Sequence, residues 1–93
     1  MADIRVVDNP AAGRYEIYVN DVPAGVAAYD VTDDSLVFTH TKIDDAHEGH
    51  GLGAQLISYA LEDVRQRGLR VVPKCPFVRQ FIEEHPEYAD LLT

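Results

Sequence analysis

The hydrophobic pattern changes period once, at Gly51, and this single change constrains the fold more than any other feature of the chain. Before it, apolar and polar residues alternate: Tyr15, Ile17 and Val19 stand against Glu16 and Tyr18, and Ala27, Tyr29 and Val31 fall together. Leu36, Phe38 and His40 share one face in the same way. A period of two describes strands with one buried face. The turn-forming breaks DNPAAG, NDVP and TDD separate four such segments, at residues 4–7, 14–19, 25–31 and 35–43, and connections this short favour an antiparallel meander. Beyond Gly51, Leu56, Ile57, Ala60, Leu61 and Val64 recur at three- and four-residue intervals. With Glu62, Asp63, Arg65, Gln66 and Arg67 on the wetter side, they predict an amphipathic helix over residues 51–67, closed by Gly68. Residues 69–72 resume the strand pattern until Pro73 stops it, and a shorter helix is expected over residues 78–84, before HPEYADLL. Four antiparallel strands, a helix and a further strand predict an α/β sandwich with a crossover before strand five.

The 93 residues leave room for one domain, residues 1–93, with a thin margin of stability. Eight basic and sixteen acidic residues give a net charge of −8, which disfavours nonspecific binding to nucleic acid or an anionic membrane. No apolar run is long enough to span a bilayer, and the N-terminus MADIRVVDNP shows neither a basic segment nor an apolar core of a signal. One cysteine excludes an intramolecular disulfide, so a reducing cytoplasm and a monomer or weak homodimer are expected.

EGHGLG, residues 48–53, lies at the junction of the fourth strand and the long helix. Its glycines permit a tight turn, and the first helical turn leaves N–H groups without intrahelical acceptors, so the junction suits a phosphate or pyrophosphate. A purely structural turn and cap accounts for the same residues. The segment lacks the Gly-Lys-Ser/Thr ending of a P-loop and the full dinucleotide signature. Glu48 opposes an anion there, while His47 and His50 would help neutralise the site when protonated. Their spacing permits a metal pair, but no cysteine completes one, and no metal is expected.

With these residues in place, LVFTHTKI, the GHGLG turn, RGLRVVPKCPFV and HPEY resemble the GNAT superfamily of acetyl-coenzyme A-dependent N-acetyltransferases. Within it, the closest likeness is to the very small single-domain group with a CPF motif, and it extends from about Arg14 to the C-terminus. The resemblance implies a mostly antiparallel sheet whose strands four and five splay around a coenzyme A cleft, with one long and one short helix. It implies acetyl-coenzyme A as substrate, its pyrophosphate on Gly49, His50, Gly51, Leu52, Gly53 and Ala54. Thr41, Lys42 and Ile43 would offer backbone groups to the pantetheine, and Lys74 and Arg79 are candidate phosphate partners or plain surface cations. Where the superfamily's loop has Gln or Arg, this chain has Glu48.

By the same resemblance, Cys75 and His40 are the candidate catalytic pair. A thiolate is the nucleophilic form of cysteine, and an imidazole beside it can take the proton; in a second mechanism the amine attacks acetyl-coenzyme A directly, with Cys75 as proton donor or His40 as base. The competing readings are a cysteine that is a small buried hydrophobe and a histidine hydrogen-bonded at the core edge. The acceptor would be a small-molecule amine or a lysine-containing peptide. A coenzyme A-binding module without turnover is the alternative function.

Overall fold

The computed structural model describes residues 3–49 and 51–92. The alternating segments form a five-stranded sheet in chain order: β1 (Ile4–Asn9), β2 (Arg14–Val19), β3 (Val22–Val31), β4 (Ser35–Ile43) and β5 (Arg70–Pro73). The first four are antiparallel, and β5 joins β4 in parallel after the helix α1 (Leu52–Gln66). A second helix, α2 (Pro76–Glu84), and a 3-10 turn, Pro86–Leu91, complete the order. The fold class is therefore the expected α/β arrangement. No helix among the described residues is long and apolar enough to cross a membrane.

Five elements differ from expectation: α1 is one residue shorter at each end, β5 is shifted by one residue to include Pro73, and β1, β3 and α2 differ for local reasons. β1 runs on to Asn9 because its whole length pairs with β2, from Ile4 opposite Val19 to Asn9 opposite Arg14. β3 starts at Val22 because the turn before it occupies only Asn20 and Asp21, both at positive φ (50° and 67°), the geometry of a two-residue hairpin. α2 starts at Pro76, whose fixed φ suits the first helical position and whose missing N–H is not needed there.

The change that matters most lies in β4. Phe38 pairs with Tyr29 and His40 with Ala28, so Thr39 is an extra residue without a partner on β3. A one-residue bulge reverses the facing of everything beyond it. His40 therefore leaves the face of Leu36 and Phe38, where simple alternation puts it. It lies exposed on the opposite side of the sheet, whereas Thr41 continues the helix-covered side opposite buried Ala27.

Both helices pack on that covered side. Tyr15, Ile17, Ala27, Tyr29, Leu36, Phe38 and Val71 from the sheet meet Leu56, Ile57, Ala60, Leu61 and Val64 of α1 and Val78, Phe81 and Ile82 of α2. The C-terminal turn belongs to the same core through Tyr88 and Leu91. Tyr88 lies 3.3 Å from Ser58 Oγ, and Arg65 grips Asp90 at 2.7 Å, so Tyr88 anchors the tail. At the other end of α1, Arg67 donates to Asp8 at 2.7 Å and pairs with Asp63 at 2.9 Å. Those carboxylates also accept the Tyr29 hydroxyl at 2.6 Å and the Tyr15 hydroxyl at 2.7 Å. One arginine thus joins α1, β1, β2 and β3.

Burial, reinforced by donation to Asp8, pushes the Tyr29 hydroxyl up to about 12. Burial and Asp63 push Tyr15 up as well. An unfolded tyrosine ionises near 10.0, so the stability these hydroxyls contribute is whole below that pH and falls as pH rises towards 12. Melting followed by circular dichroism should therefore show a steep loss of Tm across that alkaline window, shallower in Tyr29→Phe. At neutral pH, Arg67→Ala should lower Tm by several degrees, about 1 kcal/mol corresponding to roughly 4–8 °C at this size. A Tm that holds to pH 12 would show that the network contributes nothing.

Candidate active site

The site grows from the place where the sheet stops being a sheet. β4 and β5 pair from Ser35 opposite Arg70 to Phe38 opposite Pro73. Pro73 has no N–H, and Lys74 N–H turns back to Val72 C=O at 3.1 Å. The last tie across the strands is Cys75 N–H donating to Phe38 C=O at 2.9 Å. Beyond it β4 continues to Ile43, and residues 39–43 have no strand beside them on that edge among the described residues. The strands part there, and a cleft of about 370 Å³ opens between Thr41, Ile43, His47, Gly49, Leu52 and Phe77.

Cys75 stands at the root of this opening, 4% exposed, as the N-cap of α2 with extended backbone (φ −72°, ψ 125°). Its Sγ lies 3.4 Å from Thr41 Oγ1; the neutral thiol donates to that oxygen, and once the sulfur is ionised the hydroxyl turns round and donates to it. Burial pushes the thiol pKa up, but the Thr41 hydroxyl and the backbone N–H groups of Val78, Phe77 and Thr41 favour the thiolate and bring it below the ordinary 9.0. The bulge at Thr39 is what makes Thr41, and not His40, the residue that meets the sulfur. His40 lies on the other face, so the structure does not bring the two candidate catalytic side chains into contact.

The glycines of the turn do three different things. Gly49 and Gly51 have φ of +84° and +73°, which an L side chain rarely adopts, and open space lies where their Cβ atoms would stand. A ligand can therefore approach the backbone there. Gly51 is also the N-cap of α1 and makes no side-chain cap, leaving the N–H groups of the first turn without a side-chain acceptor. Gly53 is buried inside α1, and a Cβ on it would stand 2.7 Å from the Phe77 ring. Its smallness lets α2 close against α1, a packing role the sequence reading assigned to the ligand loop. Leu52 is buried in the cleft wall, Ala54 is exposed, and His50 lies outside the described residues.

Of the expected cations, Lys42 reaches the cleft rim, Lys74 is exposed, and Arg79 lies elsewhere. Its guanidinium donates to the carbonyls of Pro73 and Lys74 (3.4 and 3.5 Å) and lines a separate hollow with Ile82 and Leu92. Two residues gain a place in the cleft. Phe77 is 42% exposed and forms a wall. His47 Nδ1 is buried, has no hydrogen-bond partner among the described residues and lies 3.7 Å from the Asp44 carboxylate. Among the described residues no three His, Cys, Asp or Glu side chains gather as for a metal. A wider hollow of about 900 Å³, by Arg5, Gln55, Tyr59, Glu62 and His85, reaches Ala54 but none of the glycines.

Residues 14–91 match a protein family described as GCN5-related N-acetyl-transferase. Protein NATD1 of Bos taurus is 34% identical over 47 residues, a stretch that spans 50% of this chain and 42% of that protein. Two solved structures share the fold at low identity. One is the solution structure of a GCN5-like putative N-acetyltransferase from Staphylococcus aureus (TM-score 0.74, 20% identity, 100% of this chain and 91% of that one). The other is the crystal structure of the ribosomal-protein-S18-alanine N-acetyltransferase from Escherichia coli (TM-score 0.70, 15% identity, 91% and 76%). The chain belongs to the GCN5-related N-acetyltransferase family.

The contact between Thr41 and the thiol can be tested without any ligand. Alkylation of Cys75 followed against pH should have its midpoint below that of an ordinary thiol, and Thr41→Val should move the midpoint up. An unmoved midpoint would show that the hydroxyl does not act on the sulfur.

Proposed function

We propose that this member of the family is an acetyl-coenzyme A-dependent acetyltransferase of the small CPF-motif group, acting on an amine, with Cys75 at the reacting centre. The observation that carries this reading is the parting of β4 from β5 beside a buried thiol, which Thr41 links to a cleft that runs to an uncapped helix start. Coenzyme A fits this cleft by its own chemistry. Its pyrophosphate would take the free N–H groups at Gly49, Gly51, Leu52 and Ala54, where glycine backbone and open space allow close approach. Its pantetheine amides would pair with the unpartnered edge of β4 at Thr41, Lys42 and Ile43, as an added strand does. Phe77 and Leu52 would cover the apolar stretch.

In this reading the Cys75 thiolate attacks the acetyl carbonyl, the coenzyme A thiolate leaves, and the thioester now on Cys75 is opened by the amine. In this reading Thr41 and the backbone N–H groups at the start of α2 favour the thiolate. His40 is left to the acceptor: on the opposite face of the same strand, it can receive the proton that the amine sheds as it attacks. The second reading, a coenzyme A-binding module without turnover, is favoured by the 4% exposure of Cys75, which demands some opening before the sulfur can react.

Amide NMR during coenzyme A titration should show shifts centred on residues 41–43, 49–54 and 75–78. Gly51→Val should weaken binding, whereas Gly53→Ala should act through Phe77 and lower Tm more than affinity. Rapid mixing with acetyl-coenzyme A should place an acetyl group on the Cys75 peptide, and that group should pass to an amine at least as fast as steady turnover. Binding with no acetyl transfer to a broad amine panel would establish the module instead. Full turnover by Cys75→Ala would replace the covalent route by direct attack.

A further inference from the structure

The uncovered face of the sheet holds a hollow of about 300 Å³ that the thiol does not line and that shares only Lys42 with the cleft. Val26 and Gly25 form part of its floor, and Arg14, Glu16, Lys42 and Asp44 supply its charges. Those charges do not cancel evenly. Glu16 already accepts from Arg14 Nε at 2.8 Å, from the Tyr18 hydroxyl at 2.8 Å and from Asn9 Nδ2 at 3.2 Å. Asp44 lies near His47 at 3.7 Å. Arg14 uses only its Nε in that bond, and Lys42 makes no ion pair among the described residues. In a chain of net charge −8, whose Arg5, Arg65 and Arg67 are all paired with carboxylates, this hollow keeps donors for an anion.

Register places the hollow beside His40. Lys42 pairs with Val26 and Val26 with Glu16, while His40 pairs with Ala28 and Ala28 with Arg14. The two rows are neighbours on the same face, and His40 and Lys42 stand about 7 Å apart along β4. One carbon separates the amine of an α-amino acid from its carboxylate, and a lysine side chain is long enough to bridge the remaining gap.

We propose that the acceptor is a small amine that also bears a carboxylate, an amino acid in class. Lys42 and the terminal nitrogens of Arg14 hold its carboxylate in this hollow, and its amino group faces His40. The inference rests on the acetyl-transfer reading. An N–C bond forms to the acetyl carbon, the S–C bond breaks with the thiolate leaving, and His40 takes the amine proton.

Lysine and cadaverine, which differ only by the carboxylate, provide the test. With acetyl-coenzyme A, kcat/KM for lysine should exceed that for cadaverine about ten-fold or more, the factor one charge-assisted hydrogen bond supplies. Lys42→Gln, a change at an exposed position, should bring the ratio towards one mainly through KM. Amide NMR with each amine alone separates this proposal from the one beneath it. Lysine, and not cadaverine, should shift residues 14–18, 23–26 and 40–42 even if coenzyme A itself proved not to bind. Equal use of cadaverine, or lysine shifts absent from these strands, would overturn it.

Discussion

β4 carries one more residue than β3 can pair with, and much of the site follows from that surplus. Without Thr39, strict alternation would place His40 over the core beside Phe38 and Thr41 on the open side. With it, Thr41 meets the Cys75 sulfur and His40 crosses to the uncovered face. The bulge comes one residue after the last strand pair, Phe38 with Pro73. The strands are thus zipped by regular pairing up to Phe38 and held once more by the Cys75 amide, and beyond that the Cys75 thiol still touches Thr41. A chain can open a sheet between two strands only if something replaces the lost ladder bonds. Here one side is a proline without a donor, and the other is a β4 edge with no strand beside it among the described residues.

Such an opening needs a frame that does not follow it apart. The helix layer supplies it from both ends of α1. Its C-terminal end is fastened by Arg67 between Asp8 and Asp63, each of which also receives a tyrosine hydroxyl. Its N-terminal end is held by Leu52 in the core and by Gly53, where the absence of a side chain admits Phe77. The C-terminal turn closes the far side of α2 through Tyr88 and Leu91. At 93 residues these contacts are not redundant, and removing any one leaves little with which to compensate.

The change of period at Gly51 made the strand order and the long helix readable, because burial on one face imposes those periods on any such segment. The ranges of β2 and β4 were legible to the residue for that reason. What the pattern does not encode is a single unpaired residue. Thr39 looks like any polar position in LVFTHTKI, and its effect depends on the register of β3, which no local signal reports. The Cys75 and His40 pair was read across that invisible step. The roles of the glycines were hidden in a similar way: Gly49, Gly51 and Gly53 read as one motif, yet two serve backbone conformation and one serves the approach of a helix more than 20 residues away in sequence. Chemistry that depends on residue type alone, such as the sole thiol before a proline, was visible.

The charge of the chain and the charge of the proposed substrate remain to be reconciled. At −8, with Asp44, Asp45 and Glu48 near the cleft, the protein repels a polyanion at long range. Side-chain cations answer this only in part: Lys42 stands at the cleft rim, but Arg79 is turned onto backbone carbonyls, and the other arginines are mostly paired within the fold. What is left is short-ranged, a row of N–H dipoles at a helix start and at two glycines of positive φ. Their attraction is felt only on contact, where salt screens it little, while the repulsion acts over the Debye length and is screened readily. Recognition of an anion by an acidic protein is then a matter of backbone geometry, and the glycines that set that geometry matter more than any charged residue of the loop.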